Sequence, residues 1–255
     1  MRPLIYRVDY LLAIMLAGVI AGAVAGRWTS RREPARLARG YFVFTVAWLA
    51  VRLPLFLVVA VFLRNIPITG GIWDFAFGAL FGIALRHPRR GAVLREPPVL
   101  SALCLSVGVQ FIIGAVSSAF AFDSMTEFFT QSGYSVPFLR LIIALEALGG
   151  IGLLVPATVP LAIVALGVDM FGAIYTHAHN GDPIHDSSDA IAMLIRLGTI
   201  AVLWLLARST AAPWRALRAA GLVVLVGAVV CTAAAITGGV LARHWARGGA
   251  QVLPR

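Results

Sequence analysis

Six ionisable side chains interrupt stretches that are otherwise apolar: Arg52, Asp74, Arg140, Glu146, Asp169 and Arg196. A charge placed in hydrocarbon costs at least roughly 2.5–3.5 kcal/mol on insertion scales, so each group needs a partner, water or a task. Acids and guanidinium groups at one depth can lock helices together, hold an anion or a quinone head group, or pass a proton. A second concentration of reactive types is Thr176-His177-Ala178-His179-Asn180-Gly181-Asp182-Pro183-Ile184-His185-Asp186. Three histidines and an aspartate are enough donors for zinc or copper. However, i,i+2 spacing at a helix end sends His177 and His179 in different directions, so the segment reads as a solvated loop with pH-sensitive histidines and no metal. Cys104 and Cys231 lie in separate apolar stretches without a C-x-x-C pair, which argues for packing rather than dithiol chemistry. Haem would need two histidines at matching depth within spans, and none are so placed. No phosphate loop, G-x-S-x-G or H-E-x-x-H occurs, which leaves nucleotide and common hydrolase chemistry without a motif.

The elements that must position these groups follow from composition. The chain has 255 residues, 60% hydrophobic and 13% charged, with mean hydropathy +0.90. A soluble domain is nearer about 45–50% apolar and about 25% charged, and a compact core cannot absorb the excess. The composition excludes a soluble enzyme, a disordered chain and a disulfide scaffold. Apolar stretches run over 9–26, 41–63, 66–85, 98–120, 138–156, 158–177, 190–207 and 220–242. Each is long enough to cross about 30 Å of hydrocarbon as a helix. The third, with Pro67, Gly70, Gly71 and Asp74 near its start, could also be tilted or re-entrant. Pro54 is expected to kink the second by removing a backbone donor.

The charge balance is carried by 21 arginines and no lysine against 11 acids, for a net +10. Residues 1–97 carry +9 and residues 121–190 carry −6. With the arginines confined to short loops, the charge orients spans and favours an anionic leaflet rather than nucleic acid. The 27–40, 86–97 and 208–219 loops hold the arginine clusters, and all fall on one side only if there are eight spans. The expectation is a protein of the inner (cytoplasmic) membrane with both termini outside. The first stretch could pass for a signal peptide ending at Ala23-Val24-Ala25. Arg27, Arg31, Arg32, Arg36 and Arg39 follow at once, and such a cluster resists translocation, so a retained span is expected. Trp28, Trp204 and Trp214 then mark the inner interface, Trp73 and Trp245 the outer one, and Trp48 packs within the bundle. In the 121–137 loop, Ser124-Met125-Thr126-Glu127 reads as a capping box, followed by an apolar edge of Met125, Phe128 and Phe129 and a stop at Gly133. A short amphipathic helix on the outer surface is expected there.

At 1.5 Å per residue, Glu146 and Asp169 each lie ~12 Å below the outer ends of their spans, and Arg196 ~10 Å below its own. Three charges of mixed sign on three consecutive helices thus fall in one layer. Arg196 is expected to pair with Glu146 or Asp169, and Asp74 to form a second pair with Arg52 or Arg64. Gly172, Ala173, Thr176 and His177 continue the stripe of Asp169, while Ala192 and Asp189 lie on that of Arg196. Gly149 and Gly150, beside Glu146, are small enough to let helices approach closely.

Several of these residues also belong to a longer pattern over about 101–208. It comprises Gly108-x-x-Phe111-x-x-Gly114, Phe129-x-x-x-Gly133-Tyr134, Leu145-Glu146-Ala147-Leu148-Gly149-Gly150-Ile151-Gly152-Leu153-Leu154-Val155-Pro156, Met170-x-x-Ala173-x-x-Thr176-His177 and Gly181-Asp182-Pro183. In order and spacing this resembles the DoxX-like family of small four-span membrane proteins. The resemblance implies a four-helix bundle with its ends in the cytoplasm, in agreement with the arginine distribution. Family members include a small subunit of a thiosulfate:quinone oxidoreductase, and members often carry a lysine near the positions of Ser117 and Ser118, which this chain lacks.

The expected fold is therefore all-α, an integral membrane bundle of eight transmembrane helices. It divides into a three-span segment (1–97), a DoxX-like four-helix bundle (98–208) and a final span with its tail (209–255). The family resemblance suggests a membrane subunit serving a quinone-linked redox reaction, with quinone as the ligand and a soluble redox or assembly partner. Its expected site is a polar pocket open to the outer face, formed by Arg140, Glu146, Asp169, His177 and Arg196. The same residues fit two alternatives: a structural or assembly protein without chemistry of its own, and a transporter of a small solute or protons. No internal repeat of the kind transporters carry is evident.

Overall fold

The computed structural model describes residues 8–29, 31–62, 68–88 and 91–208. Among these, every regular element is helical: α1 (Val8–Thr29), α2 (Pro34–Phe62), α3 (Ile68–Arg86), α4 (Pro97–Phe120), α5 (Phe122–Gln131), α6 (Val136–Leu154), α7 (Val159–His179) and α8 (Ser188–Arg208), with 3-10 turns at Val93–Arg95 and Ile184–Ser187. Seven of the eight predicted apolar stretches coincide with α1–α4 and α6–α8. The eighth, 220–242, lies outside the described residues, as do Arg64, Trp214, Trp245 and Cys231. Pro97–Phe120, Val136–Leu154, Val159–His179 and Ser188–Ala207 are each long and apolar enough to cross a membrane. The third stretch is a continuous helix rather than a re-entrant segment, and α2 runs through Pro54 as one element.

Glycine dictates a very close helix crossing between α1 and α3. A Cβ added at Gly18, Gly22, Gly78 or Gly82 would stand 2.1–2.2 Å from a backbone oxygen of the facing helix, respectively Phe75, Ala79, Met15 and Val19. Contacts advance together along both chains, so α1 and α3 run parallel, as a first and a third span must. Without a hydrophobic force between helices in lipid, such small residues allow the backbone approach that dispersion packing needs. The Gly-x-x-x-Gly spacing of Gly18, Gly22 and Gly26, and of Gly78 and Gly82, is legible in the sequence.

Central to the rest is α4, which packs on α2, α6 and α8. Its Gly108 crosses Gly150 of α6 with Cβ-to-carbonyl clearances of 2.6–2.7 Å in both directions, and Phe111 beside it is buried. The α6–α7 hairpin closes in four residues. There Thr158 Oγ1 donates to the Gly152 and Val155 carbonyls at 2.8 and 3.0 Å, and Pro160 occupies the first turn of α7. Gly149 accommodates Leu166 of α7, and Gly152 accommodates Ala162. The quoted motif from Leu145 to Pro156 is therefore the surface on which α4 and α7 seat themselves.

The short helix α5 follows α4 after a single break at Ala121. It begins two residues before Ser124, so the expected capping box is corrected: Ala121 is the N-cap and offers no side-chain bond. The chain leaves α4 already helical, and no new nucleus is needed. The stop is as expected, with Gly133 at φ +83°, a conformation that glycine adopts without steric cost.

Candidate functional site

Arg196, 5% exposed, sits in the third turn of α8. Its Nη2 donates to Asp74 Oδ1 of α3, and its Nη1 donates to Gln110 Oε1 of α4. Asp74 is itself 2% exposed. The expected pairing of Arg196 with Glu146 or Asp169 is thus overturned: the guanidinium joins α3, α4 and α8 and turns away from the α6–α7 hairpin. Spacing along the chain sets depth, but the rotation of α8 about its axis is decided by what it packs against. Gln110 escapes notice in the sequence because a lone amide in an apolar run has no motif. Its only sign is that it is the one polar amide within α4.

Arg52 belongs to the same region. Its guanidinium carbon lies 4.4 Å from the centre of the Trp73 ring, its Nη1 has no hydrogen-bond partner, and it feels the charges of Asp74 and Arg196. The expected Asp74–Arg52 pair is therefore replaced by a cation–π stack beside the Asp74–Arg196 pair. Trp73, 4% exposed, forms part of that packing instead of facing an interface. Trp48 is half-buried, in keeping with its expected place in the bundle.

Glu146 and Asp169 are left to each other. Gly149 meets Leu166 where α6 and α7 cross. A step of three residues, back along α6 and forward along the antiparallel α7, brings Glu146 opposite Asp169. The two carboxylates interact electrostatically. Asp169 is 7% exposed, and its Oδ2 is buried with no hydrogen-bond partner. Glu146 Oε2 lies 4.0 Å from where a Cβ on Gly114 of α4 would stand. Gly114 is one turn beyond Gln110, so one stripe of α4 meets first the Arg196 cluster and then the acid pair.

Two turns beyond Asp169 the end of α7 is covered by α5 and the turn after it. Tyr134 Oη and Thr176 Oγ1 are hydrogen-bonded at 3.0 Å, and Thr176 Oγ1 donates to the Gly172 carbonyl at 2.8 Å. Asn180 Nδ2 donates to Ser132 Oγ at 2.8 Å. His177 packs its ring 5.4 Å from Phe128, and its Nδ1 lies 2.8 Å from Asp182 Oδ2. His179 instead stacks on Tyr175, so the two rings diverge as their spacing predicts. The side chain of His185 lies outside what is described. Among the described residues, no group of three or more His, Cys, Asp or Glu could hold a metal ion. Arg140 is exposed on the second turn of α6, with its guanidinium carbon 5.7 Å from the Phe122 ring. Of the five candidates Arg140, Glu146, Asp169, His177 and Arg196, the fold brings only Glu146 and Asp169 together.

A cavity of about 460 Å³ lies at the opposite end of the bundle, near the α6–α7 turn. Phe42, Leu100, Ser101, Cys104, Leu153 and Trp204 are among its lining residues, and none of the five candidates reaches it. Among the described residues, no charged side chain lines it.

A helical bundle with four long apolar spans, buried charges and glycine-mediated crossings is a polytopic membrane protein. Residues 100–203, from within α4 to within α8, match the DoxX-like family. No curated protein and no solved structure matches the chain.

Proposed function

We propose that this protein is a membrane subunit serving a quinone-linked redox reaction, holding the quinone among its helices while a soluble partner supplies electrons. One observation carries the reading: the open cavity of about 460 Å³ bordered by α2, α4, α6, α7 and α8, with no charge among its described lining residues. Small-molecule sites are typically about 300–1,000 Å³, mostly apolar with a few polar groups. Here Trp204 and Phe42 offer aromatic faces to a flat ring, Ser101 a hydroxyl, and the leucines a path for an isoprenoid tail. This moves the expected site from the α5 end of the bundle to the other. With both termini outside the inner membrane, as the arginine distribution predicts, the cavity opens toward the cytoplasmic leaflet, within reach of a cytoplasmic electron donor.

Titrating the purified protein with a short-chain quinone, followed by tryptophan fluorescence, tests the reading. Saturable quenching at micromolar quinone is expected. Trp204→Phe should remove most of it, and Ser101→Phe, which fills the cavity, should weaken binding at least tenfold. Quenching that never saturates, or that ignores both substitutions, refutes it.

A second reading, a structural or assembly protein, is favoured by the Asp74–Arg196–Gln110 cluster. Its hydrogen bonds tie α3 to α4 and α8 and commit one donor on each Nη of that guanidinium to holding helices together.

A further inference from the structure

We propose that Glu146 and Asp169 form a proton-binding site, in which two facing carboxylates share one exchangeable proton within the α6–α7 hairpin. The site is independent of the quinone cavity and uses none of its lining residues. Two carboxylates in hydrocarbon cannot both carry charge without a cation between them. Among the described residues, the cations that packing could have brought are committed elsewhere. On α8, Arg196 is bonded to Asp74 and Gln110. On α6, Arg140 is exposed beside Phe122. On α7, His177 is bonded to Asp182 and His179 stacks on Tyr175. The packed helix α4 contains no charged residue, its one titratable group being the Cys104 thiol in the distant cavity. The acids of α5 and α8, Asp123, Glu127 and Asp189, are all exposed.

What marks the pair as a site, and not as two acids that happen to be close, is Asp169 Oδ2. It is buried, without any partner, on a residue only 7% exposed. An acceptor left so would cost the full desolvation penalty; a proton between the two carboxylates satisfies it. Small residues continue the stripe of Asp169 toward the α5 end: Gly172, where an added Cβ would meet nothing within 4 Å, then Ala173 and Thr176. The hydroxyls of Thr176 and Tyr134 stand over that stripe.

Dicyclohexylcarbodiimide, which modifies protonated carboxyls in apolar surroundings, tests the site on the intact protein in liposomes, with adducts located by mass spectrometry. One adduct per chain is expected, on Glu146 or Asp169, its yield falling as pH rises and indifferent to sodium at constant pH. Glu146→Gln and Asp169→Asn should each confine the adduct to the remaining acid, and the double variant should abolish it. Three outcomes overturn the proposal: no adduct on either residue of the folded protein, two adducts on the same chain, or protection by sodium, which would make the bound ion a metal. Because the wild type carries the decisive measurement, a variant that fails to fold does not rescue the idea.

Discussion

Asp74 and Arg196, 122 positions apart, meet as a buried ion pair that fastens α3 to α8, with Gln110 of α4 taking the second arm of the guanidinium. Breaking a buried pair leaves an unmatched charge, which costs about 3–5 kcal/mol, whereas replacing both members by apolar residues is often neutral. Asp74→Leu and Arg196→Leu should therefore each lower thermal stability strongly, and the double variant should recover most of the loss. A loss in the double variant equal to the sum of the two single losses would show that the pair is not coupled.

The α1–α3 crossing depends on absent side chains. Gly22→Ala drives a methyl to within 2.1 Å of the Ala79 carbonyl and should separate the two helices. Gly40→Ala, at an exposed position of α2 where nothing lies within 4 Å, should be neutral or stabilise by about 0.5–1 kcal/mol. Comparing the melting of the two variants checks whether close approach, and not glycine content, is what matters.

The turn after α5 is held to α7 by side-chain hydrogen bonds. Tyr134→Phe removes the bond to Thr176, and Ser132→Ala the one from Asn180. Each should cost about 0.5–1.5 kcal/mol and speed amide exchange in Phe122–Gln131 without changing exchange in α4. Faster exchange across the whole bundle would assign these bonds a global role.

Orientation is open to labelling in a background with Cys104 and Cys231 replaced. Ser124→Cys, on the exposed face of α5, should react with a membrane-impermeant maleimide added to whole cells. Arg95→Cys, in the exposed turn before α4, should react only after permeabilisation. The reverse pattern would invert the proposed topology.

Much of the architecture is legible in the residues. Seven apolar stretches become helices because in lipid the backbone must satisfy its own hydrogen bonds. The parallel course of α1 and α3 follows from an odd number of crossings between them. Depth is read from the constant rise per residue, which puts Glu146, Asp169 and Arg196 at similar distances below the outer ends of their spans. What stayed hidden is rotation about each helix axis. Whether Arg196 would face α3 or the α6–α7 hairpin depended on how α4 seats between them, through Gly108 on Gly150 and Gln110 on Arg196. Those contacts join positions far apart in the chain. Periodicity along one helix can identify a stripe, but only packing decides which neighbour it meets. Types and spacing thus determined a membrane bundle with charges at a common depth. Tertiary structure decided that one acid meets the base while two others are left facing each other.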